Sequence, residues 1–402
     1  MSAIASIDAR EILDSKGDLT VEVELKLADG SAGVDSVPSG ASVGKAEAIT
    51  QNTQQAVENV RSEICKNLLG KEFWDQRELD DLLIKLDGTE NKSRLGVNAV
   101  LPVSMAFARA TAVSLKLKLY QYIGKLADIS EFKLPRPTVL VMEGGRHGNW
   151  ATDIQELMVI PVSGVFDSFA RELEACLGVF RTLEKILSEK GWSTGVGFEG
   201  GYCPAELVSN DEALALVTQA AGNQFVLGID VAASEFFKSG KYVLKSENNR
   251  SLSPAAWADE LVKWSQEFPI WSIEDPFDQE EWNSWSDFVK KVGGKQQIVG
   301  DDLVVTNVER IKKAVSVSAI NAVLIKLNQI GTVTETLEAV KLAHQAEMKT
   351  IVSHRAGETN DDFVADFAVG TGSQMCKFGG LDRGERLAKY NRLLGIEGEL
   401  FG

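Results

Sequence analysis

Five apolar runs between residues 225 and 355 each end in, or run into, a residue that can do chemistry. The runs are FVLGID, IWSIED, QQIVGD, NAVLIKLN and MKTIVSHR, and the residues concerned are Asp230, Glu274 and Asp275, Asp301, Lys326, and His354 and Arg355. Continuous runs rich in β-branched residues, separated by helix-like segments, are typical of buried parallel strands, because helices cover both faces of such a sheet. Successive runs lie about 25 to 45 residues apart, enough for a strand, a loop and a crossover helix. The pattern therefore predicts repeated βα units.

These units predict an α/β fold built on a (β/α)8-type barrel. The active site of such a barrel forms at the carboxyl ends of its strands, where the chemical residues are expected. Asp230, Glu274 and Asp301 would repel one another there unless a cation lay among them. Oxygen ligands without a nearby Cys or His suit Mg²⁺ or Mn²⁺ better than Zn²⁺. A single acid of this kind is more often a helix N-cap or an ion-pair partner, but recurrence at successive strand ends indicates a divalent metal site.

The chain is long enough for a second domain before the barrel. Its 402 residues exceed one ordinary core, so we predict a small α+β domain in residues 1–128 and the barrel in residues 134–402. Pro135 and Pro137 mark the linker between them.

The small domain is predicted from two kinds of periodicity. DLTVEVELKLADGS alternates apolar and polar residues and reaches a turn at Asp29 and Gly30, which indicates a strand and a hairpin. Apolar positions at helical spacing follow in residues 45–70, 76–86 and 93–124, and later in 165–187 and 330–348 of the barrel. Between them VPSGASVG has no periodicity, so it is interpreted as a mobile loop, with a plain connector as the alternative.

Composition excludes several classes of function. A net charge of −16 argues against nucleic acid or anionic membrane as a partner, because binding to either needs a basic surface. No apolar stretch is long enough to span a membrane and no basic and apolar signal segment begins the chain, so a cytoplasmic protein is expected. The four cysteines, Cys65, Cys176, Cys203 and Cys376, have no CxxC spacing and are expected to be reduced and structural.

Several longer motifs resemble those of the enolase family. They include DAREILDSKGDLTVEVEL, VPSGASVGKAEA, LDGTENKSRLGVNAVL, GIDVAASEFF, SIEDPFDQEEW, IKLNQIGTVTE and VSHRAGET, and they occur in order from residue 8 to residue 400. The resemblance implies an enolase-like barrel and a hydro-lyase that uses two Mg²⁺ ions per site, or Mn²⁺. It also implies a small anionic phosphorylated substrate, 2-phosphoglycerate, which would be dehydrated to phosphoenolpyruvate in glycolysis. A homo-oligomer, a dimer or larger, is expected.

The resemblance also assigns roles to individual residues. Lys326 is the implied base and Glu199 the implied acid, and Glu156 and His147 complete the catalytic group. The implied substrate-binding residues are His354, Arg355, Lys377 and Gln155. The implied ligands of the first metal ion are Asp230, Glu274 and Asp301, and Ser42 in the VPSGASVG lid is an implied ligand of the second. A lysine can act as a base only if its ammonium form is destabilised, which nearby cations would do. Taken alone, Glu156 could equally form an internal ion pair and His147 could be a surface loop residue.

Four residues near the implied site depart from the family pattern. Glu143 replaces Asn, Val43 replaces Thr, Phe198 replaces Asp, and Ala356 replaces a Ser that the family uses on the phosphate. The Phe198 ring is expected to desolvate Glu199 and raise its pKa. Three functions stay open: an enolase, an enolase-like enzyme for another phosphorylated or phosphonylated hydroxy acid (for example in carboxyphosphonoenolpyruvate formation), and a non-catalytic paralogue. Retention of the costly buried charges weighs against the third.

Overall fold

The structure is a computed structural model that describes residues 2–40, 44–292 and 294–402. Ser42, the implied ligand of a second metal ion, and the departure at Val43 lie outside the described residues.

The N-terminal domain packs helices on one antiparallel sheet. The sheet has the order β1-β2-β3, with strands Ile4–Leu13, Leu19–Leu27 and Ala32–Ser36. The helices are α1 (Thr53–Asn59), α2 (Cys65–Leu68), α3 (Gln76–Asp87), α4 (Val97–Ser114) and α5 (Leu119–Ala127), and a π-helical segment, Val60–Ile64, joins α1 to α2. The predicted hairpin is found, since β2 leads through Asp29 and Gly30 into β3.

Two of the helical ranges predicted in this domain differ from the structure. Residues 45–52 are not helical; α1 begins after Asn52, whose side chain accepts the N–H of Gln54. The range 93–124 is divided into α4 and α5, because Lys116 adopts a φ of 56° that a right-handed helix cannot continue. Helix α4 is long and apolar enough to cross a membrane, but 83% of it is buried inside the protein, as expected for the central helix of a core.

The C-terminal domain is a closed barrel of eight described strands, which confirms the predicted fold class. Around the ring they are β10 (Ile270–Glu274), β11 (Gln297–Gly300), β12 (Ala322–Ile325), β13 (Lys349–Ser353), β14 (Met375–Lys377), β4 (Arg136–Glu143), β5 (Glu156–Pro161) and β6 (Phe225–Asp230). The five runs that predicted parallel strands are β6, β10, β11, β12 and β13, which pair in parallel with their neighbours in that group.

Helices surround the barrel, and a small sheet lies beside it. The helices are α6 (Phe169–Glu189), α7 (Asn210–Ala221), α8 (Pro254–Glu267), α9 (Trp282–Val292), α10 (Val308–Ser316), α11 (Val333–Gln345), α12 (Phe363–Gly370) and α13 (Gly384–Phe401). Short 3₁₀ turns occur at Ala233–Glu235 and Leu327–Gln329, and the small sheet contains β7 (Phe237–Lys238), β8 (Lys241–Leu244) and β9 (Arg250–Leu252). Helix α6 begins later than its predicted start because Ser168 is its N-cap, and Thr332 caps α11 in the same way.

Strand β5 runs opposite to its neighbours, which the repeated βα pattern does not predict. It pairs antiparallel with both β4 and β6, because the loop from β4 returns directly without a crossover helix. The first residue of β5, Glu156, therefore lies at the same end of the barrel as the last residues of β4 and β6. In the pairing register Glu156 stands opposite Glu143 on one side and Asp230 on the other.

Candidate active site

The carboxylates predicted to bind metal lie at the ends of neighbouring strands. Asp230 ends β6 and Glu274 ends β10, and the two are register partners. Asp301 directly follows β11, the next strand in the ring. All three residues are buried. The barrel thus concentrates negative charge at the carboxyl ends of its parallel strands.

Lys377, at the end of β14, neutralises much of this charge. Its Nζ donates to Glu274 Oε2 at 2.8 Å and to Asp230 Oδ2 at 3.0 Å, and it lies 3.1 Å from Glu156 Oε1. Burial lowers the pKa of this ammonium group, but the surrounding carboxylates outweigh burial and hold the pKa well above its usual value. Lys377 is therefore a fixed positive charge among three acids.

Lys326, just after β12, has a similar partner. Its Nζ is ion-paired with Asp301 Oδ2, and the other oxygen of Asp301 accepts the side-chain N–H of Gln329 at 2.8 Å. Burial lowers the pKa of Lys326, while Asp301 and Glu274 raise it, and the net effect is a raised pKa. In this arrangement Lys326 is an ammonium ion.

Glu199 faces two histidines on the other side of the same cavity. His147 Nδ1 lies 3.5 Å from Glu199 Oε1, and His354 Nε2 lies 3.4 Å from Glu199 Oε2. Glu199 belongs to a turn that packs on the end of β4, where the backbone of Met142 bridges to Tyr202. Strand β12, which precedes Lys326, lies three strands away from β4 around the ring. Glu199 and Lys326 therefore approach the cavity from different walls.

The histidines reverse the pKa shift that was expected for Glu199. Burial raises the pKa of this carboxyl, but His354 and His147 outweigh burial and hold the pKa well below its ordinary value. The expectation that Phe198 would raise this pKa is wrong, because its side chain is 43% exposed and its ring lies beside His147, with 6.3 Å between ring centres. Burial lowers the pKa of His147, but Glu199 and Glu143 raise it above its usual value. One proton therefore resides on the His147–Glu199 pair, on the histidine.

His354 is held in one tautomer by a buried arginine. Arg386 Nη1 lies 2.8 Å from His354 Nδ1, and an arginine can only donate, so Nδ1 is the acceptor and Nε2 carries the proton. That proton faces Glu199. Burial, followed by the charge of Arg386, holds the pKa of His354 well below its usual value, despite the opposing effect of Glu199.

Arg355 connects the barrel to the N-terminal domain. Its Nη1 donates to Glu47 Oε2 at 3.0 Å and to Asn328 Oδ1 at 2.8 Å. Sequence reasoning assigned no role to Glu47 or Arg386, because neither lies at a strand end; Glu47 belongs to the VPSGASVGKAEA motif, but the motif alone does not identify its partner. It also missed Asp302, although the GDD sequence at the end of β11 would have been a sufficient signal.

Most of the predicted site residues line one small cavity, of about 30 Å³. They are His147, Gln155, Glu156, Glu199, Asp230, Asp301, Lys326, His354, Arg355 and Lys377. Glu274 is joined to this group through Lys377. Gln155 Oε1 and Glu156 Oε2 are buried and have no hydrogen-bond partner among the described residues. Unsatisfied buried polar atoms of this kind are typical of a surface that a ligand or ion completes.

Acidic groups at the cavity could hold a metal ion. One oxygen from each of Asp275, Asp301 and Asp302 lies within 4.8 Å of the others. Asp275 already accepts the backbone N–H groups of Asp301 and Asp302, at 2.9 and 2.8 Å, so it also shapes this loop. The predicted set of Asp230, Glu274 and Asp301 presents hard oxygen donors that now bind ammonium groups. Oxygen donors of this kind would suit a hard divalent cation if Lys326 and Lys377 gave up these contacts.

Comparison with protein-family models places the sequence. Residues 4–123 match the enolase N-terminal domain, and residues 131–402 match the enolase C-terminal TIM barrel domain. The two matches cover nearly the whole chain, and domains of this kind indicate a lyase-type enzyme. The chain therefore belongs to the enolase family.

Proposed function

We propose that this protein is a Mg²⁺-dependent hydro-lyase that converts 2-phosphoglycerate to phosphoenolpyruvate, a step of glycolysis and gluconeogenesis. The observation that supports this most is the placement of Lys326 and Glu199 on different walls of one buried, carboxylate-lined cavity. Loss of water from this substrate needs a base for the α-proton and an acid for the departing hydroxyl. The two residues offer these groups without competing for the same position.

Lys326 is the proposed base, and Asp301 controls whether its Nζ can accept a proton. Nζ is protonated while Asp301 pairs with it, which the raised pKa of the lysine expresses. Asp230, Glu274 and Asp301 would hold Mg²⁺, which when bound supplies positive charge for the substrate carboxylate and for the charge that develops next to it. With Asp301 engaged by the ion and Lys377 nearby, the ammonium form of Lys326 loses its stabilisation. Nζ can then accept the α-proton.

Glu199 is the proposed acid, acting together with His147. The pair holds one proton, which resides on His147 in the state described, 3.5 Å from Glu199 Oε1. A phosphate group bound beside His147 would keep His147 charged and make the field at Glu199 more negative, which raises the pKa of Glu199 and favours uptake of a second proton from solvent by this carboxyl. Glu199 would then protonate the departing hydroxyl. The ion pair between Glu156 and Lys377 holds the charged groups that line the cavity in place.

Arg355 is proposed to bind the substrate phosphate after exchanging partners. Its guanidinium now pairs with Glu47, at 3.0 Å. A phosphate offers the same bidentate geometry with more charge than a carboxylate, so it competes well with Glu47 for the guanidinium group. The cavity of about 30 Å³ is smaller than the substrate, so the ion pairs of Arg355, Lys377 and Lys326 have to open when substrate and metal enter.

A second candidate is the same chemistry on another phosphorylated or phosphonylated hydroxy acid. It is favoured by Glu143 and Ala356, both buried next to the proposed site and both different from the family pattern. Ala356 lacks the hydroxyl that the family's Ser offers to the phosphate. Losing that one neutral hydrogen bond costs about 0.5 to 1.5 kcal/mol, or about two- to tenfold in binding. This loss alone is too small to abolish turnover of 2-phosphoglycerate.

The deciding experiment is an assay of purified protein for phosphoenolpyruvate formation from 2-phosphoglycerate, with Mg²⁺ and with a chelator. We expect turnover that depends on Mg²⁺, and a modestly lower KM with little change in kcat in Ala356→Ser. If 2-phosphoglycerate is not turned over by either protein while a phosphono hydroxy acid is, the second candidate replaces the first.

A further inference from the structure

Glu143 is a buried acid at the last position of β4, directly behind the turn that carries Glu199. The backbone N–H of Glu199 donates to Glu143 Oε1 at 3.0 Å and lies 3.2 Å from Oε2. The N–H of Gly201 donates to Oε2 at 3.0 Å. The side chain is 0% exposed. Its carboxyl group thus accepts two converging N–H groups of one turn.

The turn is built closely around this side chain. A Cβ at Gly197 would lie 2.6 Å from Glu143 Oε2, and a Cβ at Gly201 would lie 2.9 Å from Glu143 Cβ. Neither distance is tolerated by a larger residue without movement. The turn is closed by its own bond from Gly197 N to Gly201 O, at 2.9 Å, and is attached to β4 by the bond from Glu143 N to Tyr202 O, at 2.9 Å.

We propose that Glu143 is a positioning residue for Glu199: by holding the backbone of residues 199–201 it keeps the Glu199 side chain between His147 and His354. This role rests on the proposed function, in which Glu199 is the general acid. Asparagine, which the family pattern has at this place, is one methylene shorter and carries a single acceptor oxygen. In this chain the longer side chain reaches both N–H groups.

The position of Glu199 matters because a proton is transferred only between atoms within hydrogen-bond distance of each other. A general acid works within about 2.6 to 3.2 Å of the atom that it protonates, and a displacement of about 1 Å can cost about 100-fold in rate. His147 and His354 contact only the carboxylate of Glu199, at 3.5 and 3.4 Å. Its main chain is held at two points: Gly380 N donates to Glu199 O at 2.7 Å, and the N–H of Glu199 donates to Glu143.

Two substitutions separate hydrogen bonding from volume. Glu143→Gln keeps the length and one carbonyl oxygen, which at the place of Oε2 is within reach of both N–H groups, although the amide NH₂ then replaces the acceptor Oε1 beside the N–H of Glu199. Glu143→Met keeps a similar volume but offers no comparable acceptor. Each variant is assayed for exchange of the substrate α-proton with solvent, which needs only the base, and for phosphoenolpyruvate formation, which also needs the acid.

We expect Glu143→Gln to retain α-proton exchange within about threefold of the parent and to lose at most about tenfold in elimination, the cost of about one hydrogen bond. Glu143→Met should lose about 100-fold in elimination, as estimated from a 1 Å displacement, while α-proton exchange stays within about threefold. Should Glu143→Met fail to fold, Gly201→Ala moves the turn by its contact with Glu143 and should show the same selective loss, to a smaller degree.

The outcomes separate this role from the proposed function itself. Equal loss of both activities in a folded Glu143→Met variant, or loss of neither, overturns the positioning role and leaves the proposed function intact. A loss in Glu143→Gln as large as in Glu143→Met also overturns it, because the hydrogen bonds would then not be what matters. A parent that neither exchanges nor eliminates 2-phosphoglycerate overturns the proposed function and this role with it.

Discussion

Arg355 Nη1 lies 3.0 Å from Glu47 Oε2, and both side chains are buried. The pair joins the barrel, at the end of β13, to the N-terminal domain just after the undescribed residues 41–43. Burial lowers the pKa of Arg355, but Glu47 and Asp301 raise it above its usual value, so the guanidinium stays charged. The group proposed to receive the substrate phosphate is therefore also a structural link between the two domains.

We predict that Glu47→Ala destabilises the protein by about 3 kcal/mol, because breaking a buried ion pair leaves an uncompensated charge. Asn328, Asp301 and Asp302 still face Arg355 and keep the loss at the low end of the usual range. The measurement is denaturant unfolding of parent and variant without substrate.

Glu338→Ala provides the matched control. Glu338 pairs with Arg77 at 2.7 Å, again across the two domains, but both side chains are about half exposed. Exposed pairs contribute about 1 kcal/mol or less. Equal losses in the two variants would contradict the assignment of Arg355–Glu47 as a buried link.

The metal assignment predicts the effect of Mg²⁺ on thermal unfolding. Mg²⁺ should raise the Tm of the parent, since an ion that binds only the folded state at about 100 times its Kd stabilises it by about 2.7 kcal/mol. Glu274→Gln removes a charged donor from the set with Asp230 and Asp301 and should remove most of this increase. Glu338→Ala, remote from the cavity, should keep it. A Glu274→Gln variant that Mg²⁺ stabilises as much as the parent would rule out Glu274 as a ligand.

Much of the barrel could be predicted from the sequence, because buried parallel strands leave a clear apolar signal. The runs that end near Asp230, Glu274 and Asp301 are strands, and their ends meet as expected. The reversal of β5 is not visible in its apolar run, since a buried strand has the same composition in either direction. Its only signal is the loop between Glu143 and Glu156, which is at the lower limit of length for a crossover helix.

The pKa values and ion-pair partners in the cavity were harder to predict than the residues that line it. The pKa of Glu199 depends on His147 and His354, which approach it from other loops, and not on its sequence neighbour Phe198, whose ring points outward. The partner of Arg355 is Glu47, more than three hundred positions away. Contacts between residues so far apart in the sequence depend on how the two domains pack, and no local sequence pattern predicts that packing.

The buried carboxyl of Glu143 predicts a pH dependence of stability. Burial and the charge of Glu199 raise its pKa to about 8. The unfolded chain releases this proton near pH 4.3, so the stabilisation from the proton-bound folded state is fully present below that pH. It is lost as the pH rises toward 8, by about 1.4 kcal/mol per unit for this group alone.

Glu143→Gln has no such proton to lose. Relative to the parent, its free energy of unfolding should therefore increase between about pH 4.5 and pH 8 and level off above that range. Denaturant unfolding at a series of pH values measures the difference. A difference that is flat across this range would show that Glu143 is ionised in the folded protein at the same pH as in the unfolded chain.

We propose that Lys326 and Glu199 act from different walls of one cavity, the first as base and the second as acid. The decisive measurement is exchange of the 2-phosphoglycerate α-proton with solvent, in the presence of Mg²⁺, in the parent, Lys326→Ala and Glu199→Gln. We expect exchange to stop in Lys326→Ala, whereas Glu199→Gln should continue to exchange while forming no phosphoenolpyruvate, because the base acts before the acid. If both folded variants bind substrate and lose exchange equally, or if Lys326→Ala exchanges like the parent, this division of roles is contradicted.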